Sequence, residues 1–187
     1  ELIIKNQSEG RLRYSVDFSE IARVNVLWLT FDTPVSEDDE VDLSPVWDAL
    51  EKSLPHLSSP VLLIVSSQIP VGTSEQICSF IRRSRSDLKF SYLYIPENLR
   101  LGEALRCFME PGRIVVGGYD PEAFKEARLI FSKLQADFLE MSPASAEMAK
   151  HALNAFLATS ISFINDIADL CEKTGADILD VTRALRS

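Results

Sequence analysis

Residues Ser142 to Lys173 read SPASAEMAKHALNAFLATSISFINDIADLCEK. From Ala144 through Thr174 there is neither Gly nor Pro, so nothing in the stretch interrupts a helix. Ser142 is placed to cap its start, and Pro143 suits the first helical position, where the missing N–H is not needed. Gly175 supplies the stop. About 30 residues at about 1.5 Å each make a rod roughly 45 Å long, against a usual helix of about 11–12 residues. Glu147, Lys150, His151 and Asn154 are three and four apart, so they are neighbours on one face. Much of the remainder is apolar, including Leu153, Phe156, Leu157, Ile161 and Ile164. Such a helix is expected to be buried between layers or between subunits.

Upstream, the pattern changes to strands alternating with helices. Residues 1–9 read as the end of a helix closed by Gly10, and Leu12 to Val16 alternate as a short strand. Ser19 to Ala22 read as a short helix or turn. Val24 to Phe31 (VNVLWLTF) is nearly continuous in apolar residues, as a strand covered on both faces should be. An acidic loop, Ser36 to Asp42, precedes a helix over Leu43 to Leu54. Val61 to Val65, Phe90 to Ile95, Arg113 to Val116 and Asp137 to Met141 read as four more strands. Gly72-Thr73 opens a helix to about Arg85, Asn98 to Phe108 is of mixed character, and Pro121 to Leu134 is a helix. The alternation implies an α/β fold with a largely parallel sheet. In such sheets ligands bind at the carboxyl ends of the strands. Three strand ends carry polar residues beside Pro: Asp32-Thr33-Pro34, Ser67-Gln68-Ile69-Pro70 and Ile95-Pro96-Glu97.

The chain has 187 residues, 46% hydrophobic and 25% charged, which suits a globular fold with a full core. Its net charge is −9, and its one basic cluster, Arg82, Arg83 and Arg85, ends a predicted helix, which argues against nucleic acid as a partner. No apolar run reaches the roughly 18 residues of a membrane span, so no membrane partner is expected. Three scattered cysteines (Cys78, Cys107, Cys171) fit core filling in a reduced, cytoplasmic setting. No His, Cys and Asp cluster has metal-ligand spacing, so no metal is expected. The chain opens on Glu1-Leu2-Ile3-Ile4 without Met and stops at Ser187, which reads as a piece of a longer protein.

Several motifs, in order, resemble the UDP-glucose/GDP-mannose (nucleotide-sugar) dehydrogenase family. Phe31-Asp32-Thr33-Pro34-Val35 with Asp42-Leu43-Ser44 looks like its V-x-T-P…D-L-S segment. Ser67-Gln68-Ile69-Pro70-Val71-Gly72-Thr73 looks like S-T-V-P-x-G-T, and Pro96-Glu97-Asn98-Leu99-Arg100-Leu101-Gly102 looks like P-E-F-L-R-E-G. Pro111 to Gly117 looks like P-x-R-I-V-x-G. Glu147…Lys150…Asn154…Phe163-Ile164-Asn165…Gly175-Ala176-Asp177 looks like the central helix, E-x-x-K-x-x-x-N…F-x-N-E…G-x-D.

The resemblance implies the second half of a Rossmann-like, NAD-binding domain over residues 1–141. The start of a central helical, dimerising domain would follow over residues 142–187. The implied activity is NAD-dependent oxidation of a sugar C6 alcohol to a carboxylate by two hydride transfers, in polysaccharide biosynthesis. The G-x-G-x-x-G turn would precede Glu1 and the nucleophilic cysteine would follow Ser187, so the chain by itself is expected to be inert. Lys150 matches the lysine that stabilises charge developing on the C6 oxygen, and Asn154 adds an amide donor there. Glu97 matches a glutamate that orients or activates the hydrolytic water, with a capping or surface role as its alternative. Thr33 and Gln68 fall beside the cofactor's nicotinamide, although the Thr33 hydroxyl is equally suited to cap the following turn. Leu99 and Arg100 match the loop lining the nucleotide-sugar pocket, and Leu153, Phe156, Leu157, Ser160, Ile161 and Ile164 form the expected homodimer contact set. Gln68 and Leu101 depart from the family's threonine and second glutamate. They keep open an alternative: a non-catalytic nucleotide-sugar-binding or oligomerisation module on a degenerate dehydrogenase fold.

Overall fold

The computed structural model describes residues 2–38 and 40–185. Five strands form one sheet in the order β1 (Val26–Leu29), β2 (Val61–Val65), β3 (Phe90–Tyr94), β4 (Arg113–Gly118) and β5 (Asp137–Met141). β1, β2 and β3 run parallel, as do β4 and β5. β3 and β4 are antiparallel, meeting at Leu93–Gly118 and Tyr94–Gly117. The sheet is thus mixed but mostly parallel. The reversal has a cause in the connection. The only helix between β3 and β4 is α4 (Ala104–Met109), whose 6 residues rise only about 9 Å, too short to carry the chain back along a strand of about 16 Å.

β2 is the centre of the core. All five of its residues are buried, which a strand covered on both faces requires. On one face, α2 (Ser44–Ser53) and α3 (Thr73–Ser84) supply Val46, Leu50, Ile77 and Ile81 against Leu63, Val65 and Tyr92. On the other, α5 (Pro121–Ile130) brings Ala123 and Ala127 against Leu62, Ile64, Leu93 and Val116, with Phe131 just beyond it. Trp28 and Phe131 meet edge to face at 5.6 Å, the arrangement that aromatic quadrupoles favour.

Sequence and structure differ in several places. Leu12 to Val16 forms no strand: it runs over the surface, and Val16 is almost fully exposed. Its alternation has no neighbouring strand to pair with, and an alternating pattern without a partner does not make a sheet. α1 (Leu2–Ser8) precedes it as expected, and Gly10 closes that turn at φ 67°. β1 is shorter than the apolar run that contains it. Among the described residues it pairs only with β2, and of its four residues Leu29 alone is fully buried. The mixed segment Asn98 to Phe108 contains α4, and β4 runs two residues further than expected, to Gly118.

The chain divides into two compact units, one ending at Glu147 and the next beginning at Met148. The long helix α6 (Pro143–Thr174, 32 residues) starts in the first. Its start is capped as read: the Ser145 N–H donates to Ser142 Oγ at 3.2 Å, and the Ala146 N–H to the Ser142 carbonyl at 3.0 Å. At its far end Gly175 takes φ 77°, and its N–H closes on the Cys171 carbonyl at 2.9 Å. α7 (Ile178–Leu185) follows. Along α6 the expected buried stripe is open: Phe156, Leu157, Ile161 and Phe163 are each at least half exposed.

The first turn of α6 packs over the end of β4 at Gly117. A Cβ there would sit 2.7 Å from Ala146 Cβ and 2.8 Å from Pro143 Cα, neither of which belongs to a flexible side chain. Gly117→Ala is therefore expected to cost about 1–3 kcal/mol as overpacking. In urea denaturation the midpoint should fall at an unchanged slope.

Candidate active site at the carboxyl edge of the sheet

The ends of β1, β2 and β3 are tied together by side chains in the loops that leave them. The Trp28 indole N–H donates to Ser66 Oγ at 2.8 Å, and the Ser66 hydroxyl donates to the Ile95 carbonyl at 2.6 Å. One buried serine thus links three neighbouring strands. Thr33 and Gln68 are also brought together. The Thr33 hydroxyl donates to the Gln68 backbone carbonyl at 2.7 Å, and Thr33 is itself buried. The hydroxyl holds the loop after β2 instead of capping its own turn. Beside it, Ser67 Oγ is buried with no hydrogen-bond partner among the described residues.

The Pro96-Glu97-Asn98-Leu99 loop leaves β3. The Leu99 N–H donates to Glu97 Oε2 at 2.6 Å, so this carboxylate shapes its own loop, and Glu97, Leu99 and Arg100 are all exposed. Glu97 and Leu99 line a pocket of about 90 Å³ with Trp28, Ser66, Ile95 and Phe131. Its walls are mostly apolar, and Ser66, Glu97, Asn98 and Arg113 supply its polar groups.

The loop after β2 is held by a residue from much later in the chain. Glu147 is fully buried, and its two carboxylate oxygens accept the Gly72 N–H at 2.7 Å and the Ser74 N–H at 2.8 Å. Those amides open α3 and have no partner inside their own helix. Gly72 at φ 95° makes the turn that aims them, a conformation that costs glycine little. The Tyr92 hydroxyl adds a bond to Ser74 Oγ at 2.9 Å, and burial pushes its phenol well above its ordinary value. The sequence reading placed Glu147 on a polar face with Lys150 and missed this role. The available signal was a helix start at Gly72, a residue with no side chain to cap it. Ser66 was missed likewise, although a Trp inside an apolar strand calls for an acceptor.

In the second unit, Lys150 and Asn154 stand one turn apart on α6, Lys150 half-buried and Asn154 exposed. Among the described residues no three His, Cys, Asp or Glu side chains gather as a metal site. No helix among them is long and apolar enough to cross a membrane.

A mostly parallel sheet with helices on both faces and polar loops at its carboxyl edge defines a Rossmann-like α/β fold. Residues 1–135 match the NAD-binding domain of the UDP-glucose/GDP-mannose dehydrogenase family, and residues 144–187 match that family's central domain. The chain belongs to this family. It is 34% identical over 180 residues to the UDP-glucose 6-dehydrogenase YwqF of Bacillus subtilis (strain 168), covering 95% of this chain and 41% of that protein. It is 37% identical over 175 residues to a UDP-glucose 6-dehydrogenase of Rickettsia typhi, covering 92% of this chain and 39% of that one. A solved UDP-glucose dehydrogenase of the hyperthermophilic archaeon Pyrobaculum islandicum superposes with a TM-score of 0.88 at 32% identity, over 97% of this chain and 43% of that one. The chain therefore spans about two fifths of the length of these relatives.

Two predictions follow from the geometry. Ser66→Ala leaves the Trp28 N–H and the Ile95 carbonyl without their shared partner. It should cost about 1–3 kcal/mol in thermal unfolding and shift tryptophan emission. Burial pushes the Cys78 thiol up to about 12, so it stays protonated where free thiols react. At about pH 8 a thiol reagent should label the half-buried Cys107 in the native protein, and Cys78 only on unfolding.

Proposed function

We propose that this chain is the NAD-contacting and central part of a nucleotide-sugar 6-dehydrogenase, which oxidises a sugar C6 alcohol to a carboxylate. The observation that carries the reading is the family match across both segments, joined to a carboxyl edge where the matching motifs sit in the expected loops. The domain boundary we favour lies between residues 141 and 142, where β5 hands over to α6.

The strand-end residues suit the cofactor. The Thr33 hydroxyl gives its proton to the Gln68 carbonyl, which leaves its oxygen able to accept, and the neighbouring Ser67 hydroxyl has no partner among the described residues. Thr33 and Gln68 would hold the nicotinamide end. When bound, NAD supplies the hydride acceptor. Lys150 offers an ammonium on a rigid helix to the negative charge that grows on the C6 oxygen, and Asn154 offers an amide N–H to the same atom. A fixed dipole of this kind needs no reorganisation as charge develops. Glu97 holds water for the later hydrolytic step, with its loop already folded on its own carboxylate. Leu99 and Arg100 line the nucleotide-sugar pocket. The open apolar face of α6, with Phe156, Leu157 and Ile161, supports a homodimer, and the composition supports a cytoplasmic setting.

The second reading, a binding or oligomerisation module without catalysis, is favoured by Gln68 and by Leu101, which is fully exposed and cannot serve as acid or base. The discriminating measurement is NADH absorbance, using the whole protein that carries this chain with UDP-glucose, UDP-N-acetyl sugars and GDP-mannose in turn. One of these should give NADH, and Lys150→Ala should lower kcat about 100- to 1,000-fold. A folded protein silent with every substrate would move the module reading to first place.

A further inference from the structure

We propose that Glu147 is a positioning residue for Lys150. The inference rests on the reading of Lys150 as the charge-stabilising group. The argument starts from what Glu147 does in the fold. It is fully buried, yet it stands on the helix face that Lys150 continues three residues later. Both of its oxygens are committed, one to the Gly72 amide and one to the Ser74 amide. This is a two-point attachment, so it fixes direction as well as distance. On the neighbouring side, Gly117 admits Pro143 and Ala146 closer than any side chain would allow. The first turn of α6 is thereby anchored at two independent places in the first unit, immediately before the turn that bears Lys150.

Magnitudes favour a positional role over a stabilising one. Two hydrogen bonds to a charged acceptor gain about as much as taking a carboxylate out of water costs. The terms nearly cancel, so a well-packed apolar residue here would give comparable stability. It would not specify the helix phase. A rotation of α6 about its axis, or a slide along it, breaks at least one of the two bonds and moves the Lys150 ammonium by a comparable amount. Displacement of a charge-stabilising group by about 1 Å is enough to lower a rate about 100-fold.

Glu147→Gln keeps the shape and loses one of the two acceptors, since its amide NH2 faces one N–H as donor to donor. In the whole dehydrogenase, kcat should fall about 10- to 100-fold while KM for each substrate stays within about threefold. In a Lys150→Ala background the same substitution should have little further effect, because the group it positions is gone. Amide exchange at Gly72 and Ser74 should quicken in Glu147→Gln whatever the activity. Glu147→Asp restores the charge without the reach and should fall between the two, which keeps the test open if the Gln variant folds poorly. Equal losses from Glu147→Gln with and without Lys150 would overturn the proposal, as would unchanged kcat or unchanged exchange. If instead Lys150→Ala alone costs nothing, the reading of Lys150 fails, a result recognisable before Glu147 is touched.

Discussion

The amides that open α3 impose a requirement that the surrounding loop cannot meet. The first N–H groups of a helix have no partner within it, and here the turn is made by Gly72, which has no side chain to offer. Buried and unpaired, each such group would cost about 1–3 kcal/mol. The chain meets the requirement with a carboxylate 75 residues away from Gly72 in sequence. The α3 dipole adds to the attraction, since a negative charge is favoured at its amino end. The consequence is topological. The loop after β2 and the start of α6 are tied to each other through Glu147.

A similar economy governs the rest of the carboxyl edge. Ser66 accepts from Trp28 on β1 and donates to Ile95, the residue just past β3, so one hydroxyl fixes the relative reach of three strands. Thr33 does the same between the loops that follow β1 and β2. Past β3 the pattern changes because α4 is too short to return the chain. β4 comes back antiparallel, and the space between it and the Glu97 loop becomes the pocket lined by Trp28 and Phe131.

Much of this was legible in the sequence where burial dictates residue type. β2 and β5 were read to their ends, because a strand enclosed on both faces, or bounded by Asp and Pro, leaves few alternatives. The α6 limits were legible from Ser142 and Gly175, whose roles are local. Leu12 to Val16 failed because alternation describes one strand and says nothing of whether a partner exists. α4 was obscured by its mixed, exposed surface. The candidate site was legible only as motifs. That Thr33 would grip Gln68 through its backbone carbonyl, or that Glu147 would be buried rather than solvated, depends on contacts between distant segments that no local pattern encodes.

The two departures from the family pattern gain meaning from the same contacts. Thr33 bonds the backbone carbonyl of Gln68, which any residue at that position provides, so the exchange of Thr for Gln leaves this tether intact. Leu101 is fully exposed beyond the Glu97 loop, and that loop is held by Glu97 and the Leu99 amide. Neither substitution therefore removes an interaction on which the described carboxyl edge relies. Glu147, Ser66 and Thr33, all buried and polar, keep their partners, and the departures fall on exposed positions. The departures thus sit at the rim of the carboxyl edge, outside the buried contacts that hold it.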